Sequence, residues 1–84
     1  MATIATTIVV IDRLSHYSYE TGGPTVSESN AERSLRGWIH AHTNDIMKFL
    51  HGFGEASACI FRDDTGEIMS EIDLVANFGT INYK

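Results

Sequence analysis

The octapeptide WIHAHTND crowds together four side chains able to bind a metal or move a proton: His40, His42, Asn44 and Asp45. Imidazoles and carboxylates are ordinary zinc ligands, so the spacing has to be tested against geometry. On a helix His40 and His42 point about 200° apart around the axis and share no ligand face. The pairs that can meet, His42 with Asp45 and His40 with Asn44, supply two donors where a zinc site takes three or four protein ligands. His42 also falls on an apolar stripe between Ile39 and Ile46, which reads as a hydrogen-bonded histidine of the core. No metal and no cofactor is expected unless His16 or His51 folds alongside.

The other chemically capable residues are poorly placed for catalysis. Cys59, the single cysteine, sits mid-strand in SACIF, with no glycine elbow, helix start or neighbouring base to activate a thiolate. It reads as a small buried hydrophobe. The TGGP segment at 21–24 leads into Val26 and polar residues rather than directly into a helix, so it is no phosphate loop. Tyr17 and Tyr19 have the alternation of base-stacking residues on a sheet, but no Lys or Arg interleaves them. They read as core or interface. A pair of carboxylates doing acid–base work needs a cleft, which one helix on a sheet does not supply. The chain is expected not to be an enzyme.

Charge is the feature that remains. Asp63, Asp64, Glu67, Glu71 and Asp73 place five acids within eleven residues that contain no base, and the rest of the chain, with six acids and six bases, is neutral. The net charge of −5 therefore sits in one segment. That opposes direct nucleic-acid binding, which needs a basic footprint, and favours a basic protein partner. Read as a strand, EIMSEIDL turns Ile68, Ile72 and Leu74 to one side and Glu67, Met69, Glu71 and Asp73 to the other. The candidate partner-binding surface is thus Asp63, Asp64, Glu67, Met69, Glu71 and Asp73. The plainer reading is the wet face of an antiparallel sheet, polar by default and protected by charge against aggregation. Imitation of a nucleic-acid backbone is a sparse fit. Same-face residues on a strand stand about 6.7 Å apart, against one charge per ~1.7 Å of duplex axis, so Glu20, Glu28 or Glu55 would have to lie nearby.

These side chains must be positioned by an α+β fold. Residues 3–12 are rich in Ile, Val and Thr, with Ile4, Ile8 and Val10 alternating against Ala5, Val9 and Ile11, so both faces are apolar near the end. HYSYE at 16–20 is the second strand, joined through residues 13–15. A capping box, Ser29 with Glu32, predicts the helix start. Leu35, Trp38, Ile39, Ile46, Phe49, Leu50 and Phe53 form its apolar stripe. Gly52 or Gly54 ends it, and HTND at 42–45 is the predicted break. Strands at 56–62 and 67–74 flank a DDTG turn with Gly66 at a positive φ, and a last strand at 79–83 follows a turn near Asn77. The expectation is one domain over 1–84: an antiparallel sheet of four to five strands in ββαβββ order, with one long or broken helix packed on one face.

The start of the chain has no basic n-region and no apolar run long enough to span a membrane, and one cysteine fits a reducing compartment. The chain reads as a complete cytoplasmic protein. In size, acidity and want of catalytic groups it resembles the stand-alone proteins with which phages and mobile elements block host nucleic-acid-handling machinery, anti-CRISPR proteins among them. That resemblance rests on no particular residue. It implies an inhibitor or adaptor acting through an acidic surface. The alternative is a structural subunit that forms a homo-oligomer, such as a homodimer, through strand 3–12 and the uncovered sheet face.

Overall fold

The computed structural model describes residues 3–84. One antiparallel sheet is built from β1 (Thr6–Asp12), β2 (Ser18–Gly22), β3 (Phe53–Arg62), β4 (Ile68–Asn77) and β5 (Thr80–Tyr83), in the order β2-β1-β3-β4-β5. A 3-10 turn (Glu28–Asn30) and two helices, α1 (Ala31–Ala41) and α2 (Thr43–Phe49), separate β2 from β3. The architecture is the α+β arrangement expected. The two ten-residue strands set the long dimension of a molecule measuring 40 × 21 × 19 Å.

Both helices cover the same side of the sheet. Leu35, Ile39, Ile46 and Leu50 meet Ile8 and Val10 of β1, Ala56, Ala58 and Ile60 of β3, and Ile72, Leu74 and Ala76 of β4. Alanines in the middle of β3 leave room for the helix backbone to approach, while the larger side chains fill in from either side. The break falls where HTND predicts it. His42 leaves helical geometry at φ −115°, ψ 25°, and the Thr43 hydroxyl donates to the carbonyls of Ile39 (3.2 Å) and His40 (3.1 Å) in the last turn of α1, sharing the Ile39 acceptor with the His42 amide.

Several local expectations are corrected. The capping box does not form: Ser29 lies inside the 3-10 turn, Asn30 makes no side-chain cap, and Glu32 turns instead to Arg36 at 3.6 Å. The extra turn carries the chain into α1 in place of the cap. The first left-handed residue after α2 is His51 at φ 56°, and Gly52, the expected cap glycine, follows it at φ 84°. The amides of His51 and Gly52 donate to the carbonyls of Lys48 and Met47, the paired bonds of a Schellman motif. Phe53 belongs to β3 rather than to the helical stripe and is 64% exposed. β2 runs two residues later than HYSYE, into Thr21 and Gly22. Its hairpin with β1 is organised by Asp12, whose carboxylate accepts the amides of Leu14 (2.9 Å) and Ser15 (3.4 Å). Those bonds hold its pKa below the ordinary carboxylate range.

Candidate functional site

The side of the sheet away from the helices has no covering layer among the described residues, and its composition follows from the register. Cross-strand partners share a face. The rows on this face are Glu20–Val9–Cys59–Glu71, then Ser18–Ile11–Ser57–Asp73, with Thr7–Phe61–Ile68 at one end and Glu55–Val75–Asn82 toward the other. Down the middle, on β1 and β3, runs an apolar spine of Val9, Ile11, Cys59 and Phe61, extended by Ile68 and Val75 on β4. Glu20 borders it on the β2 side. Glu71 and Asp73 border it on the β4 side, about 14 Å away across three strand spacings.

A bulge in β4 divides the predicted acidic strand. Ile60 pairs with Ser70 but Phe61 pairs with Ile68, so Met69 is an extra residue. Beyond it the alternation reverses. Met69 packs against the helix-side core, and Ile68, 56% exposed, takes the open-face position opposite Phe61. Glu67 pairs with Arg62, whose side chain reaches Glu28 (3.9 Å) in the 3-10 turn on the helix side. Of the six residues singled out from sequence, Glu71 and Asp73 stand on the open face. Asp63 lies at its end, where its carboxylate accepts the Thr7 hydroxyl at 2.6 Å. Asp64 is turned to Arg62, Glu67 lies opposite Arg62, and Met69 is on the covered side.

The negative charge is also partly met by cations that the fold brings in. Arg62 binds Asp64 through two bonds of 3.0 and 2.9 Å and holds that carboxyl below its ordinary range. Arg13, sixty residues away in sequence, lies 3.4 Å from Asp73 and donates to Ser57 at 3.0 Å, while Ser57 donates to Asp73 at 3.0 Å. Lys84 pairs with Glu55 at 2.8 Å and lowers its pKa. Among the described residues no ion pair involves Glu20, Glu71, Asp63 or Glu67.

Cys59 sits at the centre of this face, 2% exposed, with its thiol donating to Glu71 Oε2 at 3.3 Å. Burial, then that hydrogen bond and the charges of Glu71 and Asp73, push its pKa up to about 12. A thiol so placed remains protonated at neutral pH and is no nucleophile. His42 is half-buried and stacked on Trp38 with ring centroids 4.4 Å apart. Its Nδ1 lies 2.8 Å from the Trp38 carbonyl, which can only accept, so Nδ1 carries the proton. Among the described residues no three His, Cys, Asp or Glu side chains converge on a point that could hold a metal. Of the two tyrosines read as core or interface, Tyr19 packs against the core, edge-on to Phe49 with centroids 4.8 Å apart, whereas Tyr17 is 75% exposed.

Of the residues that give this face its apolar character, sequence reasoning passed over Phe61 and Val75, set Ile68 on the side of Ile72 and Leu74, and counted Phe53 in the helical stripe. The available signal was β1, whose two apolar faces require cover on both sides. A second exposed apolar group lies at the end of the sheet, where Phe53 stacks on Phe78 at 5.7 Å. Compared with protein-family models, curated proteins and solved structures, the chain matches none. No helix among the described residues is long and apolar enough to cross a membrane.

Proposed function

We propose that this protein works by binding, as an inhibitor or adaptor that docks a second protein on the uncovered face of its sheet. The observation that carries this reading is the apolar spine Val9–Cys59–Phe61–Ile68, set between Glu20 on one margin and Glu71 and Asp73 on the other. An apolar centre inside a charged rim is the anatomy of a protein–protein interface; of the four, Ile68 is exposed, Val9 and Phe61 are half-buried and Cys59 is buried among them. The free carboxylates select a partner with basic groups flanking an apolar ridge. Host machinery whose basic surface ordinarily holds nucleic acid is the class that fits. Because Arg62 and Arg13 already neutralise Asp64 and Asp73, apolar contact supplies the affinity and Glu20, Glu71 and Asp63 supply orientation and rate.

The test pairs two variants that leave the core untouched, Ile68→Glu and Glu71→Lys, with affinity capture from host lysate at low and high salt. The reading expects one partner, lost with Ile68→Glu at any salt and weakened by Glu71→Lys mainly at low salt. Retention of the partner by both folded variants would overturn it.

The same spine supports a second reading, a homodimer joined face to face. Its margins oppose it, since two copies would set unpaired Glu20 and Glu71 against each other. Sedimentation equilibrium separates the two: a dimer that Ile68→Glu dissociates would replace the heterologous partner.

A further inference from the structure

The free edge of β2 carries a different feature. Tyr17 and Gly23 bond with Asp12 and Thr6 across β1. Alternation along the ladder then points the backbone groups of Tyr19 and Thr21 inward to β1 and those of Ser18, Glu20 and Gly22 outward to the edge. Beside that edge, on the helix side, lies a groove of about 430 Å³ walled by Thr21 and Pro24 on one flank and by Ser34, Trp38 and His42 on the other. Ser34 and Trp38 of α1 are four apart and share a face, and His42, at the break after α1, is stacked on Trp38. Since His42 Nδ1 is committed to the Trp38 carbonyl, Nε2 is the ring's remaining polar atom. The loop wall is held in place by Gly23, where a Cβ would collide with the Thr6 hydroxyl and Ile8, and by the Thr6 hydroxyl donating to the Pro24 carbonyl at 2.6 Å.

We infer that the β2 edge is a peptide site, at which an extended segment with an apolar–basic–apolar alternation adds as a sixth strand. An incoming strand pairs with the outward groups of Ser18, Glu20 and Gly22, and its pleat fixes where each side chain goes. The residue opposite Glu20 lies on Glu20's own face, and its two neighbours enter the groove against Trp38 and His42. Glu20 is in no ion pair among the described residues, so a Lys or Arg is the matching residue opposite it. Charge also decides against a second copy: antiparallel pairing of two β2 strands about their centre sets Glu20 against Glu20, and like charges directly opposite are destabilising. The other edge, β5, carries a different arrangement. There Arg36 lies 4.7 Å over the Tyr83 ring, and the Tyr83 hydroxyl donates to the Arg36 carbonyl at 3.3 Å.

Trp38 is the chain's single tryptophan, so its fluorescence reports the groove directly. The probe is the peptide acetyl-Ser-Thr-Val-Arg-Val-Thr-Ser-amide, titrated against the full chain beside the same peptide with Glu in place of Arg. The expected result is a saturable change for the Arg peptide, at least tenfold weaker binding of the Glu peptide, and reversal of that preference in Glu20→Lys. Hydrogen exchange should slow at the amides of Ser18, Glu20 and Gly22 when peptide is bound. Three results would overturn the inference: no saturable change at millimolar peptide, equal affinity for the two peptides, or protection at those amides that rises with protein concentration alone. The last would mean that a second copy occupies the edge. Ile68→Glu should leave peptide binding unchanged, which distinguishes this site from the apolar spine of the open face, with which it shares only Glu20.

Discussion

Raising the pH from 8 to 10 should cost the wild-type protein stability that a Cys59→Ala variant keeps. An ordinary thiol loses its proton near 9.0, whereas that of Cys59 is retained to about 12. Through this window the unfolded chain releases a proton that the folded chain holds, so the unfolded state is favoured as pH rises. The contribution is intact below pH 9 and lost between 9 and 12. Linkage puts the loss at about 1.4 kcal/mol by pH 10, a fall in Tm of roughly 6–11 °C for a domain of this size. Urea unfolding under reductant, for wild type and Cys59→Ala at each pH, isolates the effect, because Tyr19, whose pKa burial also raises, is common to both proteins. Glu71→Gln should narrow the gap without closing it, since burial is the larger cause. Parallel pH profiles for wild type and Cys59→Ala would refute the reasoning. The thiolate would then be as well accommodated in the fold as in water, and Glu71 and Asp73 could not be facing it.

The remaining expectations concern the scaffold. Leu35→Ala, at a fully buried position against the sheet, should lower unfolding free energy by about 2–5 kcal/mol in urea titration, whereas Leu14→Ala, at an 88% exposed position, should stay within about 0.5 kcal/mol. His51→Gly should raise stability by about 1 kcal/mol, because the left-handed C-cap geometry strains a side chain with a Cβ; an unchanged or lower Tm would contradict the cap assignment. Stability should decline as pH falls through 4.5 and 3.8, the ordinary values for Glu55 and for Asp12 and Asp64, because all three have lowered pKa values in the fold. Their contribution is present above those values and lost as the carboxylates protonate, and pH-dependent circular dichroism checks it.

Much of the fold was legible because its signals are local. Alternating Ile and Val mark β1, the spacing of Leu35, Ile39, Ile46 and Leu50 marks the helical face, Thr43 and Asn44 mark the break, and Gly66 marks a turn. The candidate site was less legible because its composition is decided across strands. EIMSEIDL alternates strictly only from Glu71 to Leu74, and Ile68–Met69 and Ser70–Glu71 break the pattern where Met69 bulges. A methionine among acids and a serine among apolar residues are tolerated in a strand, however, and do not by themselves reveal that Ile68 turns to the opposite face. That depends on how the Asp63–Gly66 turn closes, with Arg62 opposite Glu67. The pairing of Asp73 with Arg13 depends on β1 lying between β2 and β3, a long-range fact that charge counting along the chain does not contain. Both effects turn an apparent acidic strand into an apolar spine with acidic margins.

The most direct test of that conclusion is affinity capture from cell lysate, comparing wild type with Ile68→Glu and with a helix-side control, Glu32→Lys, after circular dichroism has shown all three folded. The account predicts one partner held by wild type and by Glu32→Lys and absent from Ile68→Glu. A partner retained by Ile68→Glu but lost with Glu32→Lys would place the contact on the helical layer and contradict it.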